Sequence, residues 1–190
     1  MSYTPTVAFV CGSLRTGSIN AKLETALMHK ASEQGLAPER VGLADYALPI
    51  YNGDLELPDN ATKLAARLER FDAVVIVSPE YNGSLPPVLK NAIDWTSTVG
   101  SRHFREPVYG VASCAPGAMS GIMCMRQMAY ILTRLGAEVV PTQVGVGVAA
   151  TAFMDNGRLV EGRSAELADT MLASLRTRVL QKRALDASPA

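Results

Sequence analysis

Two short stretches of this sequence gather residue types able to hold a charged, planar ligand. The first is Gly12-Ser13-Leu14-Arg15-Thr16-Gly17-Ser18-Ile19-Asn20. Its hydroxyls, the Arg15 guanidinium and the free N–H groups expected where a helix begins together make an anion site. Elimination narrows the anion. A nucleoside triphosphate loop needs Lys after its second glycine, whereas Gly17 is followed by Ser18 and Ile19. The dinucleotide fingerprint G-x-G-x-x-G fails at Leu14. A phosphatase loop C-x5-R starting at Cys11 needs Arg where Gly17 stands. What remains is a terminal monophosphate, a description that flavin mononucleotide fits. The same residues also read as a helix capped by Ser18, with Arg15 incidental.

The second stretch is Ser78-Pro79-Glu80-Tyr81-Asn82-Gly83-Ser84-Leu85-Pro86-Pro87. A flat ring is gripped best by close backbone approach, and Asn82-Gly83 supplies a turn that tolerates positive φ. Amides there are placed to reach ring nitrogens and oxygens, Tyr81 to stack, and Glu80 to cap or pair locally. An ordinary strand-to-helix loop has the same composition. A third segment, Ser113-Cys114-Ala115-Pro116-Gly117-Ala118, is rich in small residues, as the close approach of a ring edge requires. Cys114 reads either as a redox thiol or, more simply, as a small buried hydrophobe.

Other reactive types are poorly placed. His29 falls within a helical pattern and His103 in a loop with Arg102 and Arg105, and both read as solvated. Met125, Met128, Leu132 and Leu135 repeat at helical spacing and read as core, while Arg126, Tyr130 and Arg134 mark another face open to solvent or to a second subunit.

The elements that must position these loops alternate regularly. Val7–Cys11 is an apolar run without alternation, the mark of a parallel strand covered on both faces. A helix follows over about Ser18–Gln34, stopped by Gly35, and a weaker strand over Arg40–Tyr46. A short helix over Thr62–Arg70 precedes the clear strand Ala73–Val77. The Pro86-Pro87 pair starts a helix carrying Val88, Leu89, Ala92, Ile93 and Trp95. Val108–Ser113 is a fourth strand, about Ser120–Leu135 a helix and Glu138–Val146 a fifth strand. A helix over Ser164 to about Lys182 closes the chain, with Thr151–Gly162 a surface excursion and a frayed tail from about 184. Strand and helix alternating five times predict one α/β domain over 1–190: a five-stranded parallel sheet, helices on both faces, right-handed crossovers. In such sheets ligands bind beyond the carboxyl ends of the strands, where the three loops lie.

Composition agrees and excludes much else. At 190 residues, against roughly 150 per domain, one domain is the default. Apolar residues make up 48% and charged residues 19%, which is globular composition rather than disorder or coiled coil. Lys plus Arg and Asp plus Glu are 18 each, so no basic patch recruits nucleic acid or a membrane surface. The uncharged run Val139–Met154 contains Pro141, Thr142, Gln143 and two glycines, which disqualifies it as a spanning helix. Without a secretory pattern at Met1–Thr6, a cytoplasmic location is expected. Cys11, Cys114 and Cys124 lack paired spacing, so neither disulfides nor a metal site are expected.

On Gly12–Asn20, on Leu48-Pro49-Ile50-Tyr51-Asn52-Gly53-Asp54, and on Ser78–Ser84 with Lys90-Asn91-Ala92-Ile93-Asp94-Trp95, the chain resembles the NAD(P)H-dependent FMN reductases of the flavodoxin-like superfamily. The group includes bacterial quinone, chromate and azo reductases, and the resemblance spans about residues 6–145. It implies sheet order 2-1-3-4-5 and FMN, with its phosphate on Ser13, Arg15, Ser18, Ile19 and Asn20. The isoalloxazine would lie on Pro79, Glu80, Tyr81, Asn82 and Gly83, near Ser113 and Cys114. It implies hydride transfer from NADPH or NADH to the flavin and then to a quinone, azo, nitroaromatic, chromate or similar acceptor. It also implies a homodimer or tetramer, with Tyr51–Asp54 near the partner's site. One departure stands out: Met123 occupies a place where the family often has arginine. A non-enzymatic carrier is the main rival, though a neutral chain lacks the acidic docking surface a carrier uses; a flavin redox sensor is another.

Overall fold

The computed structural model describes residues 3–187. Six parallel strands form one sheet: β1 (Thr6–Cys11), β2 (Ala37–Arg40), β3 (Ala73–Val77), β4 (Val108–Cys114), β5 (Glu138–Val139) and β6 (Val144–Val146). The order is β2-β1-β3-β4-β5, with β6 also on β4. The centre is the most apolar part, since every residue of β3 and β4 is buried. β-branched side chains covered by helices on both faces dictate this.

The helices divide between the two faces. On one, α1 (Ile19–Glu33) and α6 (Arg163–Asp186) bury Leu23, Leu27, Met171, Leu172 and Leu175 against Phe9, Val75 and Ala112. On the other, α2 (Asp59–Glu69), α3 (Pro87–Val99), the single turn α4 (Arg102–Arg105) and α5 (Ile122–Arg134) bury Leu64, Leu89, Phe104, Met128 and Leu132 against Val74, Ile76 and Val111. The methionine stripe is core, as expected.

Four sequence expectations shift. The second strand lies earlier, at Ala37–Arg40, and Leu43–Tyr46 instead forms a 3₁₀ turn. Pro38 is tolerated because β2 is an edge strand that pairs only with β1. The fifth strand is broken at Pro141, and its halves pair separately with the two ends of β4. His103 is buried rather than solvated, at 2% exposure, in the unforeseen α4; His29 is exposed, as expected. The tail begins later than 184, because α6 continues to Asp186; residues 188–190 lie outside the described residues. Among the described residues no helix is long and apolar enough to cross a membrane.

Register places the key loops together. Cys11 pairs with Val77, and Val77 with Ala112, so β1 and β3 end level while β4 runs on to Cys114 beside β6. Gly12 then donates to the Val77 carbonyl at 2.9 Å and Ser78 to that of Ala112 at 3.0 Å, carrying the alignment into the loops.

Candidate active site

A cavity of about 240 Å³ opens where the three loops meet. The first loop lines it with Ser13, Arg15, Ser18, Ile19 and Asn20, the second with Pro79, Glu80 and Tyr81, and the third with Cys114, Ala115 and Pro116. Nearly every expected residue therefore converges there. Asn82, Gly83 and Ser113 do not line it: Asn82 is exposed, Gly83 half-buried and Ser113 buried.

The first loop is an anion cradle in its free donors. Ser18 is the N-cap of α1, and its hydroxyl accepts from the N–H groups of Asn20 at 3.2 Å and Ala21 at 3.4 Å. That leaves the N–H groups of Thr16, Gly17 and Ile19 without a protein partner among the described residues. The Arg15 side chain is exposed and makes no ion pair among them. Amides at a helix N-terminus together with a free guanidinium suit a dianionic phosphate.

Asn20 does a different job. Fully buried, it donates from Nδ2 to the Cys114 carbonyl at 2.9 Å, and its Oδ1 accepts from the Cys114 N–H at 2.9 Å. This reciprocal pair staples the first loop to the third. Its amide faces a strand rather than the cavity mouth, so Asn20 reaches the site as a strut.

The second loop is a tight hairpin. Tyr81 and Ser84 exchange both backbone hydrogen bonds at 3.0 Å, with Asn82 at φ 52° and Gly83 at φ 78°. Two successive left-handed residues make a type I′ geometry that Asn-Gly adopts at low cost. Glu80 anchors the near side: its Oε2 accepts from the N–H groups of Met123 at 2.9 Å and Cys124 at 3.1 Å, capping α5 from outside. The N-cap residue itself, Gly121, has no side chain able to do so. Gln127 anchors the far side, donating to the Gly83 carbonyl at 3.2 Å and accepting from the Ser84 hydroxyl at 2.8 Å. Sequence reading missed Gln127, because its partners lie on a distant loop. Gly121 is fixed by contact as well as by its φ of 72°: a Cβ there would lie 2.0 Å from the buried Ser113 Oγ.

No thiolate or imidazole is poised for chemistry. Burial pushes the Cys114 and Cys124 thiols up to about 11 each and raises Cys11 as well. Cys114 is thus a small buried hydrophobe, and both histidines lie elsewhere. Among the described residues no acidic, cysteine or histidine cluster could hold a metal. Arg102 and Arg105 precede β4, on the edge opposite the cavity.

An anion-holding cavity over the carboxyl ends of a parallel 2-1-3-4-5 sheet defines a flavodoxin-like protein. The chain belongs to the NADPH-dependent FMN reductase family, which it matches over residues 5–151. It is similar to a quinone reductase of Pseudomonas putida, 37% identical over 84% of this chain and 87% of that one. An NAD(P)H-dependent FMN reductase of Pseudomonas aeruginosa is 34% identical over 87% and 90%. In structure it resembles a flavoenzyme NAD(P)H:(acceptor) oxidoreductase of Paracoccus denitrificans, at 27% identity and TM-score 0.78, covering 94% of this chain and 98% of that one. An archaeal flavodoxin shares the fold alone, at 10% identity and TM-score 0.63. The protein is therefore an oxidoreductase that uses FMN and a nicotinamide reductant.

Proposed function

We propose that this protein is an NAD(P)H-dependent quinone reductase whose FMN occupies the three-loop cavity. The observation that carries the assignment is the set of unengaged donors in the first loop, of which Arg15 and Ile19 line a cavity that the other two loops close. Arg15 and the Thr16, Gly17 and Ile19 amides hold the phosphate, with the Ser13 and Ser18 hydroxyls beside them. The Pro79–Gly83 backbone, braced by Glu80 and Gln127, supports the isoalloxazine. FMN held there would supply the hydride chemistry that links the nicotinamide reductant to the acceptor. The chain's residues bind, orient and exclude water, and Glu80, the one carboxylate lining the cavity, is spent on the α5 amides.

The acceptor class follows from the rim. Leu14, Tyr81, Met119 and Met123 are exposed around the site, and none is charged. With Arg15 committed to the phosphate, neutral planar acceptors, quinones among them, suit this mouth better than the chromate oxyanion. The relatives named quinone reductase support this order. The reading also includes a homodimer, because the segment before α2 exposes Ile50, Tyr51, Leu55 and Leu57 together.

Arg15→Ala tests the site. FMN affinity should fall about tenfold, the loss of one charge-assisted contact, with the fold unchanged by circular dichroism. Unaltered affinity would remove the phosphate from this loop.

A further inference from the structure

A second, larger hollow adjoins the three-loop cavity. A groove of about 820 Å³ runs between the first half of α1 and the excursion at residues 149–157. We propose that this groove receives the 2′-phosphoadenosine half of NADPH, with Lys22 as the cation that reads the 2′-phosphate. The proposal rests on FMN occupying the three-loop cavity, and it adds a site for the reductant's distal half.

Continuity comes first. The groove shares Ser18, Ile19 and Pro116 with the flavin cavity, so a molecule leaving that cavity across Pro116 enters the groove directly. A dinucleotide delivering its nicotinamide at the cavity must lodge its other half nearby, and the volume lies within the usual range for such ligands, roughly 300–1,000 Å³.

The walls have complementary chemistry. One is helical and contributes Lys22 and Thr25. The Thr25 hydroxyl is already engaged, donating to the Ala21 carbonyl at 3.0 Å and accepting from Arg40 at 2.9 Å. Lys22 is exposed, and its ammonium has no partner among the described residues. It is also the groove's one cation, on the first turns of α1, where the helix dipole favours an anion. The opposite wall presents Phe153 and Met154, an aromatic and a polarisable surface suited to a purine face. Asp155 beside them is an acceptor for ribose hydroxyls or the adenine amino group.

That second wall is held in place. Met154 donates to the Arg158 carbonyl at 2.8 Å and Gly157 to that of Met154 at 2.9 Å, closing the Asp155-Asn156-Gly157 turn. Asn156 Oδ1 accepts from the Arg158 N–H at 3.1 Å, and the Arg158 guanidinium pairs with Glu33 at the far end of α1 at 2.5 Å. The groove is thus formed before anything enters it.

Calorimetry with 2′,5′-ADP and 5′-AMP on the FMN-loaded protein tests this, alongside steady-state kinetics with NADPH and NADH. The 2′-phosphate should strengthen binding, and Lys22→Ala should weaken 2′,5′-ADP about tenfold while Lys22→Arg retains it. The ratio of kcat/KM for NADPH to that for NADH should fall by the same factor in Lys22→Ala. Equal binding of the two nucleotides, or an unchanged ratio, overturns the proposal. So does loss of FMN affinity in Lys22→Ala, or FAD binding more tightly than FMN in a Lys22-dependent way, since either gives the groove to the flavin. Failure of the flavin reading is separate and shows in Arg15→Ala.

Discussion

Ser18, Asn20 and Glu80 each carry a polar side chain into the site, yet each spends it on the protein. Ser18 caps α1, Asn20 ties the first loop to Cys114, and Glu80 caps α5. Ser18→Ala should therefore lower stability by about 1 kcal/mol, the usual worth of an N-cap, as well as weakening FMN; denaturation of the apoprotein separates the two, and an unchanged midpoint would contradict the capping role. His103 gives a pH prediction. Burial lowers its pKa from 6.5 to about 4, and its Nε2 has no partner among the described residues. The folded state keeps the ring neutral while the unfolded chain binds a proton below 6.5. Stability that is complete above pH 6.5 should therefore fall as pH drops toward 4, by roughly 3 kcal/mol. Urea midpoints between pH 7 and 4.5 should show the slope in wild type and a shallower one in His103→Leu; identical slopes would sink the idea. The places of Arg15 and Asn20 at the cavity were legible in the sequence because both lie in one continuous loop. The Asn20 staple to Cys114 and the Gln127 brace were not, because their partners sit on other loops.

At the scale of elements, the central strands were readable because burial on both faces leaves them uniformly apolar. The edges were less so: Pro38 does not exclude a strand that bonds on one side only, and Pro141 splits the fifth strand without changing its partner. The short α4 left no periodic signal. The hairpin at Tyr81–Ser84 was foreseen from Asn82-Gly83, but its attachment to α5 was not. Gln127→Ala removes both hydrogen bonds to that hairpin and should weaken FMN about fivefold, near the net worth of one hydrogen bond, with little effect on apoprotein stability. Fluorescence titration of FMN checks it, and wild-type affinity in the variant would mean that Glu80 alone fixes the turn.

For the whole molecule, alternating elements were enough to give the fold class, and the parallel register of β1, β3 and β4 explains why three separated loops form one site. The apolar strap at Ile50, Tyr51, Leu55 and Leu57 concerns assembly. Its base is rigid: the Trp95 indole N–H donates to the Pro49 carbonyl at 2.7 Å, and Asn91 accepts from the Tyr51 N–H at 2.7 Å. If a second copy covers it, Ile50→Asp should turn a dimer into a monomer by light scattering at micromolar concentration; a monomeric wild type would contradict the interface. The central claim is tested most directly by the absorbance spectrum of the FMN-reconstituted protein before and after anaerobic NADPH. Bound flavin bands should bleach within seconds and return on adding a quinone. Bands that persist with NADPH, or flavin that fails to bind, would contradict it.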